Sequence, residues 1–128
     1  MHLISEQTAA VIRTLFPGDK KMNDLADALE LLAQTFKIMS SRVIFDDKDK
    51  LHSALGWLIE QQTEIMLKCI WFMENTRFGP NKFSNGCIVT LKSTMALHKL
   101  LKEKYGLKYL LTSKLSQVFL DLVSHRVP

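Results

Sequence analysis

The side chains able to do chemistry in this chain are few and scattered. The histidines are His2, His52, His98 and His125, and no two share the i, i+4 spacing by which one helix face presents two metal ligands. The two cysteines, Cys69 and Cys87, lack metal-ligand spacing and read as free, buried thiols of a reducing compartment. The acids of Asp46-Asp47-Lys48-Asp49-Lys50 could hold calcium, but the tract has no turn glycine and no Glu closing a twelve-residue loop. Ser116, Asp121 and His125 contain the residue types of a hydrolytic triad, yet one helical turn supplies no oxyanion hole. No glycine-rich phosphate loop is present. These residues imply no catalytic site, no cofactor, no metal and no small-molecule substrate.

Charge is the stronger signal. Residues 1–64 carry 7 Lys and Arg against 10 Asp and Glu, and residues 65–128 carry 10 against 3, so the halves balance at −3 and +7. Such asymmetry steers a polyanion, supports pairing between copies, or simply marks two solvated faces. The cations Lys92, Lys99 and Lys102 share one side of a helical segment, with Lys104, Lys108 and Lys114 beyond them. They are the candidate nucleic-acid contacts, without regularly spaced aromatics for base stacking.

The elements that must position these groups read as helices. The length suits one domain with a real core, and no apolar run is long enough to span a membrane. The first residues lack the pattern of a signal peptide. Ser5 with Glu6 starts a first helix, which Pro17-Gly18-Asp19 ends. A second helix, opening near Asn23 or Asp24, places Met22, Leu25, Leu29, Leu32, Phe36 and Met39 at steps of three and four. That stripe is either a core-facing seam or an interface between two chains, with Leu25, Leu29, Leu32 and Phe36 as the interface candidates. A third helix is expected from about Asp49 to Asn75, apolar around most of its circumference and therefore central. Within it, Gly56 marks a close crossing or bend, and Gln62, if buried, needs a hydrogen-bond partner. Residues Arg77 to Gly86 read as the longest loop, in which Phe78 and Phe83 either plug the core or bind something. A fourth helix runs from about Cys87 to Tyr105 and stops at Gly106. Leu107–Leu111 is strand-like or an extended lead-in, and Ser113 or Ser116 caps a last short helix. The expected fold is all-α: residues 1–128 as a single bundle-like domain of about five helices.

Four stretches, in order, carry a family resemblance. Leu110-Leu111-Thr112-Ser113-Lys114-Leu115-Ser116-Gln117 resembles the entry to the last catalytic helix of P-element-type transposases, the THAP-domain transposase family. Phe36-Lys37-Ile38-Met39-Ser40-Ser41 falls where that family has Phe-Asp-x-x-Asn-Ser. Gln7-Thr8-Ala9 resembles its Gln-Thr-x-Ser segment, and Asn85 to Ser93 its Thr-Gly-hydrophobic run. The resemblance covers roughly Leu3 to Gln117.

It implies an origin in the latter part of the helical, GTP-binding domain inserted before the third carboxylate of an RNase H-like catalytic domain. Lys37 and Ser40 stand where the family has its Asp and Asn near the nucleotide. The family's Gln-Asp-x-x-Glu becomes Gln117-Val118-x-x-Asp121. Phe36, Lys37, Ser40 and Val118 thus form a degenerate nucleotide site, since Val118 cannot accept a guanine hydrogen bond. Asp121 sits at the position of the catalytic Glu, and one acid cannot hold two ions. The expectation is a non-catalytic, transposase-derived protein-interaction module, a domesticated nuclear regulator that forms a homodimer or binds a protein partner. The alternative is a nucleic-acid-binding fragment using the basic half.

Overall fold

The computed structural model describes residues 5–76 and 81–115, and within the latter the side chains of Asn81 and Phe83 are not described. It is all-α, as expected, with α1 (Glu6–Leu15), α2 (Lys20–Met39), α3 (Ile59–Asn75), α4 (Asn81–Tyr105) and a 3-10 turn at Lys50–His52. Residues 112–115 are also helical, so Ser113 lies inside that turn; Ser116 lies outside the described residues.

Local chemistry explains most boundaries. The Ser5 hydroxyl accepts from the Thr8 N–H at 3.0 Å and caps α1. Asp19 accepts from the Met22 N–H at 3.2 Å and starts α2 earlier than Asn23. Gly106, at φ 65°, donates its N–H to the Lys102 carbonyl at 3.1 Å and closes α4 in a left-handed cap.

Packing follows chain order, with contacts from α1 to α2, α2 to α3 and α3 to α4. Helix α2 buries two faces. Ala26 and Leu29 meet Ala9 of α1, where small side chains let the backbones approach. Leu32 and Ile38 join Met66, Cys69, Ile70 and Met73 of α3 and Leu91 of α4 in the main core. Interior position is therefore shared between α2 and α3. Helix α3 is not covered all round, since Leu67 and Trp71 are exposed.

Two expected boundaries are corrected. Helix α3 does not begin at Asp49. The Asp46 carboxylate accepts from the Lys48 and Asp49 N–H groups at 3.0 and 3.1 Å, a local loop that competes with helix. Gly56 then takes φ +116°, which no helix allows. The second correction concerns residues 81–86, which form the first turns of α4 rather than loop. A proline just ahead of a helix is compatible with its start. Gly86 in the helix interior costs only about 1 kcal/mol relative to Ala.

The segment after α4 is extended and is held at three points. Leu55 and Leu110 exchange N–H···O bonds of 2.9 Å in an antiparallel bridge. The Gly56 backbone lies against the Lys108 carbonyl. Thr112 and Ser41, both fully buried, close a clasp. The Ser41 N–H donates to Thr112 Oγ1 and the Thr112 N–H to Ser41 Oγ, each at 3.1 Å. Thr112 Oγ1 donates to the Ile38 carbonyl at 2.6 Å, which leaves the Ser41 hydroxyl to donate to Thr112 at 2.8 Å. Thr112→Val keeps the shape but strands the Ser41 N–H and the Ile38 carbonyl. Buried groups left unsatisfied cost about 1–3 kcal/mol each. Urea denaturation should show a loss of about 2–6 kcal/mol, with most of it recovered by Thr112→Ser. An unchanged midpoint would mean that the clasp contributes nothing.

Gln62 anchors the other side of this region. Buried as the sequence implied, it accepts from the Gly56 N–H at 3.1 Å and donates to the Ser53 and Ala54 carbonyls at 3.3 and 3.2 Å. All its polar demands are met in the loop that precedes its own helix.

Candidate functional site

Phe36 and Lys37 lie in the last turn of α2, and Ser40 is its C-cap. With α1 and the loop around Asp49 and His52 they line a cleft of about 820 Å³. The sequence pattern thus brings three of its site residues to one place. Val118 and Asp121 lie outside the described residues.

Lys37 is the centre of charge in this cleft. Its Nζ lies 2.7 Å from Glu6 Oε1 and 2.8 Å from Asp49 Oδ2. Partial burial lowers the affinity of Lys37 for its proton, but the bonds from Asp49 and Glu6 outweigh this and raise it overall. Around the rim, His52 Nε2 lies 2.9 Å from the Ser40 carbonyl and Nδ1 lies 3.2 Å from Asp46 Oδ2. The Asp49 and Lys48 N–H groups, with His52, hold the Asp46 carboxyl below the usual carboxylate range.

The chemistry of this arrangement is restrained. Glu6 and Asp49 together exceed the single positive charge of Lys37, so the cleft offers a polyphosphate little attraction. Sequence reasoning missed Glu6, Asp49 and His52 as neighbours of Lys37. Only Asp49 stood in a tract singled out for its charge, and spacing alone cannot bring it to a residue on another helix.

The remaining candidates separate. Leu29 and Leu32 are buried, whereas Leu25 and Phe36 are exposed. The stripe is therefore not one interface: its middle is core and its ends face solvent. Lys92 reaches Glu74 of α3 at 3.7 Å. Lys99 and Lys102 are exposed and have no ion-pair partner among the described residues. Cys69 is buried and Cys87 half-buried, and desolvation pushes both thiols up, away from reactivity.

A different surface stands out by its apolar content. Phe45 and Trp57 are each 40% exposed and their rings lie 4.9 Å apart at 35°. Trp57 in turn meets Tyr109 at 5.5 Å and 33°. Exposed Val43 and Ile44 precede Phe45 in the chain.

No family model matches the chain. Among curated proteins it is 27% identical over 129 residues to the "Transposable element P transposase" of Drosophila melanogaster, across 96% of this chain. Among solved structures, the "Drosophila P element transposase strand transfer complex" superposes with a TM-score of 0.77 at 28% identity, again over 96% of this chain. The chain is homologous to part of the P element transposase. It spans 17% of the length of that curated transposase and 28% of the solved transposase chain. Among the described residues, no helix is long and apolar enough to cross a membrane.

Proposed function

We propose that this chain is a non-catalytic, transposase-derived protein-interaction module that acts in the nucleus as a domesticated regulator. It works by contact and forms a homodimer. The observation that carries the reading is the surface formed by exposed Val43, Ile44, Phe45 and Trp57 with half-buried Tyr109, in which the three aromatic rings meet in tilted contacts. Contiguous apolar surface on a small domain marks a contact site, and aromatic side chains dominate the energetics of such sites. The P element transposase to which the chain is similar was solved as a strand transfer complex, an assembly. The balance of charge around Lys37 and the replacements at Lys37, Ser40 and Val118 support a role without nucleotide.

Light scattering over rising concentration tests the self-association. The expected result is a dimer that Ile44→Lys with Phe45→Ser converts to a monomer of unchanged helical circular dichroism. A wild-type chain that remains monomeric at high concentration would overturn the homodimer.

A further inference from the structure

A second pocket, lined by none of those aromatic residues, lies between α3 and α4. It encloses about 280 Å³. Leu55, Ile59 and Met95 form apolar walls, and Lys99 and Lys102 stand at the rim. His98 also lines it and is 6% exposed. Its Nε2 donates to the Lys108 carbonyl at 3.3 Å, which leaves Nδ1 without a partner among the described residues. His98, its Nδ1 unengaged by any described residue, thus lines a small apolar chamber beside two ammonium groups without an ion-pair partner among the described residues. Each of the three features asks for a different part of one ligand: an apolar body, anionic flanks and a hydrogen-bond donor.

We propose that this pocket is a docking site for an acidic peptide segment of a partner protein that inserts one large apolar side chain. The volume accommodates one such side chain. Acidic residues on either side would meet Lys99 and Lys102, and a peptide N–H would supply the donor for His98 Nδ1. The aliphatic walls do not suit a nucleobase, which binds by stacking on an aromatic face. The inference concerns a partner other than a second copy, so it stands apart from the homodimer.

The test uses the full chain and a fluorescein-labelled synthetic peptide of Asp and Glu with one central Phe, followed by fluorescence polarisation. Saturable binding is expected. Changing the peptide's Phe to Ser, or introducing Lys99→Glu with Lys102→Glu into the chain, should each weaken it about tenfold or more. In the wild-type chain the peptide should also move the His98 imidazole 15N resonance. Binding that is indifferent to the loss of Phe would be charge alone and would overturn the pocket. Binding that leaves His98 unmoved would place the peptide elsewhere, with the same consequence. Absence of peptide binding, together with lysine-dependent binding of a labelled DNA duplex, would assign the rim to nucleic acid instead.

Discussion

Leu29→Glu with Leu32→Glu should yield an unfolded chain, read as loss of helical circular dichroism. Leu32 is fully buried in the main core, and Leu29 packs against Ala9 and Ala26 between α1 and α2. Each substitution removes about 1.5–3 kcal/mol of apolar burial. Each also forces an unpaired carboxylate to be buried or the structure to open, at several kcal/mol more. Together these losses match the whole stability of a typical domain, about 5–15 kcal/mol. Leu25→Glu and Phe36→Glu, on the same stripe but exposed, should leave the fold intact. A soluble and helical Leu29/Leu32 double variant would show that the stripe lies on the surface after all.

Gly56→Ala should be the most damaging single change among the described glycines. A Cβ there would lie 2.1 Å from the Lys108 carbonyl oxygen and 2.9 Å from His98 Nε2. The carbonyl belongs to backbone and cannot swing aside, so the segment after α4 must move. The φ of +116° adds strain of its own, about 1–3 kcal/mol for a residue with a side chain. Loss of the two Leu55–Leu110 bonds adds about 0.5–1.5 kcal/mol each. The sum is about 2–6 kcal/mol, measurable as a lower urea midpoint. Gly18→Ala is the control: its φ is +82°, but nothing lies within 4 Å of the added atom. It should show backbone strain alone, about 1–2 kcal/mol. Equal losses at the two positions would mean that the contact with Lys108 is unimportant.

How far the sequence could be read depended on whether the deciding partner was near in the chain. Ser5, Gly106 and the periodicity of α2 act through neighbours within a turn or two, and they appear as expected. Gln62 was legible as a demand for partners, though not as the brace of its own approach loop. The start of α3 was hidden because Asp46 bonds the backbone two and three residues ahead, in a tract that equally resembles a helix N-terminus. Periodicity also could not divide α2 between its two partners. Positions 25, 29, 32 and 36 form a regular stripe on paper, but α1 and α3 cover only the middle of it. In the cleft, the resemblance selected Phe36, Lys37 and Ser40. The pairing of Lys37 with Glu6, 31 residues away, depends on tertiary packing that no local pattern records.

The Ser41–Thr112 clasp has a consequence for the order of assembly. Its partners are separated by 71 positions, and it cannot form until residue 112 has left the ribosome. Closing so long a loop costs about 4 kcal/mol of chain entropy, an expense best met once intervening helices have shortened the path. The end of α2 should therefore wait, with the Ile38 carbonyl and Ser41 N–H bonded to water, while α3 and α4 come together. During synthesis that waiting interval is a natural opening for a chaperone, and a pause in translation before residue 112 would prolong it.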